Sequence, residues 1–200
     1  MITVENSTHR VTIERDPHPT NPREWDNLCT IIWRHKGYSL GEIEAQGNLG
    51  GWKEELDYVV GDKDIIVKPI YMFDHSGLTI STTPFRNHWD SGQVGWIFAT
   101  WEDIASCYQL DEDLSYDNGD GEVINEYKDK ARKVLKHEVN TLDKYLRGDV
   151  YRFNLEEKDH CEHCQHTHYE SIDSCSGFYE IEAILEHLPE EITEKVKEEI

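Results

Sequence analysis

Basic residues are scarce: 20 Lys and Arg stand against 41 Asp and Glu, a formal net charge of −21 over 200 residues. That imbalance excludes attraction to a phosphate backbone as a property of the whole surface, because nucleic acid is repelled over most of it. Long apolar runs are missing too. None approaches the roughly 20 residues of a bilayer-spanning helix, and Met1 to Thr20 lacks the basic-then-apolar pattern of a secretory signal. Cysteine is sparse and odd in number, 5 in all, which rules out a complete set of internal disulfides. The thiols are therefore expected to be reduced, either buried or metal-bound, in a soluble cytoplasmic protein without membrane contact. What the chain does have is large rings: 6 Trp, 10 Tyr and 5 Phe, enough to build a core.

The patterning predicts one α+β domain over 1–200, mainly antiparallel sheet with one long helix at about 121–147 and a short helical tail. Ile2-Thr3-Val4 and Val11-Thr12-Ile13 alternate apolar with polar and predict a first hairpin. Three prolines between Asp16 and Pro22 cannot donate to a ladder, so that stretch is an extended connection. A strand is expected over Cys29–Trp33, a glycine-rich loop to Gly51, then a short helix over 52–60 with Trp52, Leu56, Val59 and Val60 on one face. Strands over 64–73 and 77–83 flank the turn Asp74-His75-Ser76-Gly77. A second turn, Asp90-Ser91-Gly92-Gln93, leads into an apolar strand over 94–100. Thr100 and Asp103 then match an N-cap and the third position of a helix. The long helix is expected to bury Val123, Tyr127, Ala131, Leu135, Leu142 and Tyr145, with Gly148 as its stop. Val150–Leu155 and Ile172–Tyr179 read as two further strands, and Ile184, Leu188, Ile192 and Val196 mark the apolar side of the tail around Pro189.

Three local features carry chemistry. Between 158 and 169 the segment His160-Cys161-Glu162-His163-Cys164-Gln165-His166-Thr167-His168 forms a Cys/His-rich hairpin tip. A Cys-x-x-Cys knuckle turns two thiolates to one side, and Cys161, Cys164, His166 and His168 make a tetrahedral set for structural zinc. His160, His163 and Cys175 are spare ligands, and an exposed His-rich tip without resident metal is the plain alternative. The second feature is a set of polar turns. Cys175, with Asp173, is a thiol that His75 or His88 could activate, with Asp74 or Asp90 to orient the imidazole; a small buried thiol under the tail is the simpler reading. Asn87 to Gln93 places Trp89 and Asp90 among polar groups that suit a recognition pocket or an ordinary turn. The third feature is charge. From Asp111 to Glu126 there are seven acids and no base, a solvated loop entering the helix, and the tail over 180–200 is also rich in Glu. Asp111, Glu112, Asp113, Asp117 and Asp120 can imitate a row of phosphates for a basic partner, or can simply aid solubility.

Several ordered blocks resemble a known family. Asn21-Pro22-Arg23-Glu24-Trp25-Asp26-Asn27-Leu28, Asp74-His75-Ser76-Gly77-Leu78-Thr79-Ile80-Ser81, Trp89-Asp90-Ser91-Gly92-Gln93-Val94-Gly95, Tyr145-Leu146-Arg147-Gly148-Asp149-Val150-Tyr151 and Asp173-Ser174-Cys175-Ser176-Gly177-Phe178-Tyr179 together are similar to an uncharacterised family of tailed-bacteriophage proteins. The chain departs from that pattern at Cys29, where glycine is expected, and at Ser176, where an aromatic is expected. The resemblance brings no assigned activity with it. Taken with the acidity and the lack of a clear catalytic set, it points to an accessory protein in the cytoplasm of an infected host. Such a protein acts by binding host machinery, with anti-CRISPR or anti-restriction inhibition as the specific form, while the negative charge argues against direct nucleic-acid binding. The alternative is a small enzyme or ligand binder whose site gathers His75, Ser76, Trp89, Asp90, Gln93, Asp173 and Cys175.

Overall fold

The computed structural model describes residues 1–47, 50–75, 77–86, 89–111, 114–161, 163 and 166–200. The chain parts into two compact units: a terminal unit of residues 1–20 and 144–200, and a central unit of residues 21–143. The fold class is α+β with antiparallel pairing dominant, as the patterning predicts. Among the described residues no helix is long and apolar enough to cross a membrane.

In the terminal unit four strands lie in the order β1-β2-β8-β9, all antiparallel. The first hairpin joins β1 (Ile2–Glu5) to β2 (His9–Arg15), in the register Val4 opposite Val11. Strands β8 (Tyr151–His160) and β9 (Thr167–Phe178) form a longer ribbon than the sequence suggests, reaching to the Cys/His tip. Alternation sends Val11, Ile13, Phe153 and Leu155 to one face, where they pack with Ile184, Leu188, Ile192 and Val196 of the tail. The tail comprises α4 (Ile181–Ile184), a 3-10 turn over Leu185–His187, and α5 (Glu190–Lys197), with Pro189 at its N-cap. Ile184, Ile192 and Val196 are fully buried, each stabilising the docked tail by roughly 1.5–3 kcal/mol. Strand β9 is an edge strand, exposed along its whole length up to Gly177.

The central unit holds a five-stranded sheet in the order β4-β3-β7-β5-β6. Its members are β3 (Thr30–Trp33), β4 (Ile43–Glu44), β5 (Ile65–Asp74), β6 (Leu78–Ser81) and β7 (Ser91–Thr100). Strand β7 begins at Ser91, so Ser91, Gly92 and Gln93 belong to the ladder rather than to a turn: they pair with Phe73, Met72 and Tyr71 of β5. Helix α1 (Trp52–Val60) covers one face, laying Leu56 and Val60 against Ile32 and Phe98. Gly95 sits where β7 crosses β3, and a Cβ there would press into the Ile32 carbonyl. Gly95→Ala is expected to cost about 1–3 kcal/mol through forced separation of the two strands, read as a lower denaturant midpoint.

Helix α2 (Trp101–Cys107) starts with the expected capping box: the Thr100 hydroxyl accepts from the Asp103 N–H, and Asp103 accepts from the Thr100 N–H. Helix α3 (Gly121–Arg147) is fixed by polar pins. Lys128 donates to Asp64, Glu138 accepts from the Leu28 and Cys29 backbone, and Asp143 accepts from the Ile80 N–H. Its buried stripe is Ile124, Lys128, Ala131, Leu135, Glu138 and Leu142, while Val123 is exposed. Ala131, Leu135 and Leu142 are buried as expected and Tyr127 and Tyr145 half-buried; the first turn differs, with Ile124 inward in place of Val123, and the charged Lys128 and Glu138 join the buried side. Gly148 ends the helix with φ +70°, and the Asp149 N–H closes on the Lys144 carbonyl.

Candidate functional site

The β5–β6 hairpin end brings two of the sequence blocks together. Pairing of β5 with β7 places Asp74 beside Asp90, whose carbonyl accepts from the Asp74 N–H at 3.0 Å. One residue on, His75 Nδ1 lies 3.5 Å from Asp90 Oδ2, in an exposed pair. The Phe73 ring supports this end, 6.1 Å from the His75 ring and 5.7 Å from Phe85. Trp89, next in line, is 95% exposed. Ser76, Asn87 and His88 lie outside the described residues. A carboxylate-oriented imidazole can relay a proton, and an exposed indole can enter another protein's pocket.

The other predicted site residues lie elsewhere. Asp173 and Cys175 belong to the terminal unit, on exposed β9. Cys175 is therefore not the buried thiol of the simpler reading: it is exposed on the edge strand of the sheet. Nor does it head a helix; it sits in mid-strand, with its thiol 3.7 Å from the Ser176 carbonyl.

At the hairpin tip the Cys161 N–H donates to the His166 carbonyl at 3.0 Å, extending the register of His160 opposite Thr167. Opposed residues share a face, so Cys161, His166 and His168 project to the same side of the ribbon. Cys164 lies outside the described residues, and among those described no three His, Cys, Asp or Glu side chains gather as a metal site.

In the acidic segment Asp111 and Asp117 are exposed, Asp120 accepts from the Ser115 N–H, and Glu112 and Asp113 lie outside the described residues. The helix starts at Gly121, so Glu122 and Glu126 are helical rather than loop residues.

Three polar clusters escape a reading of sequence alone. Arg23, from the first sequence block, bonds to Glu138 at 2.9 Å, to Glu42 at 2.6 Å and to the Cys29 carbonyl at 2.6 Å. That block is thus a structural latch, with Asn21 and Asn27 tying its own backbone. Burial, and then the Glu138 carboxylate, push the neighbouring Cys29 thiol far up, so it stays protonated and inert. The second cluster joins Lys128 to Asp64 and Tyr116. Burial pulls the ammonium down, but its hydrogen bonds to both partners outweigh this and hold it above the ordinary lysine range.

The third cluster is the open face of the terminal sheet, a depression of about 620 Å³ floored by Thr12, Asn154 and Ser174. Arg10 pairs with Glu156 at 2.6 Å and Arg152 with Glu14 at 2.9 Å. The hydrogen bond from Arg10 holds the Glu156 carboxyl below its ordinary 4.5. Because the folded value is depressed, this pair's contribution is present above that pH and is lost as pH falls through the folded value. Glu156→Gln is accordingly expected to flatten the acid limb of a stability-versus-pH curve without changing its neutral plateau by more than about 1 kcal/mol.

The fold and these clusters define a class and no more: an α+β protein with dominant antiparallel sheet, an exposed indole and a strongly acidic surface. A scan against protein-family models finds no match, and searches of the curated proteins and of the solved structures find none either.

Proposed function

We propose that this chain is an acidic accessory protein of phage origin that works by binding a basic, nucleic-acid-handling component of the host. A defence complex is the specific target class, and the cytoplasm of the infected cell is the setting. The observation that carries the reading is Trp89. An indole left 95% exposed, in a chain of net charge −21, offers a partner an aromatic anchor on an acidic protein. Aromatic anchors set how long a complex lasts, whereas acidic surface steers its formation. The test is capture from host lysate with duplex DNA as competitor, followed by kinetics on the captured partner. Neutralising Asp111, Glu112, Asp113, Asp117 and Asp120 to Asn or Gln should slow association, and Trp89→Ala should speed dissociation. Unchanged rates in both variants, or no DNA competition, would reject the proposal.

Zinc at the hairpin tip belongs to this reading as a structural device held by Cys161, Cys164, His166 and His168. The support is the pairing that turns Cys161, His166 and His168 to one face. Elemental analysis of protein purified without a metal column should give one zinc per chain, lost in Cys161→Ser; absence of zinc from the unmutated protein would sink it.

A second reading, an enzyme or ligand binder, has the 3.5 Å approach of His75 to Asp90 in its favour. Turnover abolished by His75→Ala but kept by Trp89→Ala would establish it over the first.

A further inference from the structure

Beside the acidic segment, within the central unit, lies a cavity of about 400 Å³ bounded by Asp64, Trp101, Leu114, Tyr116, Asp117 and Ile124. That volume lies in the range of pockets that hold small molecules or single side chains. Ser115 completes the lining; four of the seven walls are large apolar or aromatic side chains, and the only charged ones are the two carboxylates. The mouth is built rather than loose. The 3-10 turn Tyr116–Asn118 is capped by the Ser115 hydroxyl, which accepts from the Asn118 N–H, and the Ser115 N–H donates to Asp120. Such bracing lowers the ordering cost of any occupant.

We infer that this cavity receives the guanidinium group of an arginine presented by a basic protein partner, an inference that rests on the binding reading above. The charge decides the sign of the ligand. Lys128 offsets Asp64, which leaves the group of three with one net negative charge from Asp117. An anion is repelled, and a neutral apolar ligand would strip water from carboxylates without replacing their hydrogen bonds. The chain already uses the same chemistry from the inside. The Lys128 ammonium donates to Asp64 and to the Tyr116 hydroxyl and lies 5.3 Å from the Tyr116 ring centre. The Asp64 side chain remains 49% exposed after that pairing, and the Tyr116 residue 50%. A guanidinium suits the outer side better than a second ammonium, since it is flat, weakly hydrated and stacks on aromatic rings. Free arginine is the poorer occupant because its own carboxylate meets Asp117 and an acidic surface; inside a peptide that charge is gone.

The experiment is an amide and indole NMR titration of the full chain with acetyl-Gly-Arg-Gly-amide, alongside the same peptide carrying neutral citrulline. The arginine peptide should saturate shifts at the Trp101 indole and the Ser115 and Tyr116 amides, while the citrulline peptide leaves them in place. Tyr116→Leu and Asp117→Asn should each weaken binding by roughly threefold or more. Asp117 is exposed, so its variant keeps the test valid where Tyr116→Leu disturbs Lys128. Equal response to citrulline, shifts spread evenly over the acidic tail, or full affinity in Asp117→Asn would overturn the assignment. A basic partner still captured through Trp89 in that event would leave the binding reading standing. Saturable arginine binding without any captured, DNA-competed partner would instead keep the cavity and remove that reading.

Discussion

Glu138→Ala is expected to destabilise the protein by about 3–5 kcal/mol. Glu138 is 8% exposed, and its two oxygens accept from Arg23 at 2.9 Å and from the Leu28 and Cys29 amides at 3.0 and 3.2 Å. Truncation leaves two amide donors without their acceptor and removes one of the two carboxylates facing the Arg23 guanidinium. That side chain is itself 6% exposed, so water cannot readily replace what is lost. Glu138→Gln keeps an acceptor oxygen for the amides and should lose less. The ordering is the test: urea denaturation should rank the wild type above Gln and Gln above Ala, with unchanged m-values. A loss below about 1 kcal/mol in the Ala variant would mean the latch is solvated rather than buried.

Phe153→Ala should be comparably costly, about 3–5 kcal/mol, for a different reason. Phe153 is 2% exposed at the centre of the terminal unit's core, with its ring centre 5.8 Å from Phe178 and 5.9 Å from His187. Deletion leaves a cavity walled by a β-sheet and docked helices, and a sheet held by hydrogen bonds collapses poorly into such a gap. Hydrogen exchange locates the loss: amides of β2 and β8 should lose protection first. Phe153→Leu refills much of the volume and should recover part of the stability. If Ala and Leu variants prove equal, ring packing rather than volume holds the core.

Short-range rules carried much of the fold. The first hairpin, helix α1, the Thr100–Asp103 capping box, the Gly148 stop and the apolar side of the tail all follow from periodicity or from residues at most a few positions apart. What escaped is what depends on distant partners. Glu138 reads as one more solvated acid until Arg23, 115 positions away, is seen beside it. Along α3 Ala131, Leu135 and Leu142 are buried as expected, but periodicity picked Val123 over the equally apolar Ile124 in the first turn and passed over the inward Lys128 and Glu138. His75 and Asp90, offered by the sequence as members of one site, are brought within 3.5 Å where β5 pairs with β7, whereas Asp173 and Cys175 of the same expected site lie in the terminal unit. The exposure of Cys175 depends on β9 having no neighbour on its outer side, which is a fact of strand order and not of the residues in the strand.

A chain whose terminal unit draws on both of its ends cannot finish that unit early. Arg10 and Glu156 sit 146 positions apart, and the β2–β8 ladder that joins them must close a loop of that order. Loop-closure entropy grows only logarithmically, about 0.6 kcal/mol per doubling of length, so the arrangement costs little at equilibrium. Its cost falls on timing. During synthesis at roughly 5–20 residues per second, β1 and β2 leave the ribosome many seconds before β8 can pair with them. Their apolar side, Val4, Val11 and Ile13, waits uncovered while residues 21–143 emerge. Early folding of that intervening stretch would turn a long floppy tether into a short, defined one. The polar residues alternating along β2 would keep the waiting hairpin from sticking to itself.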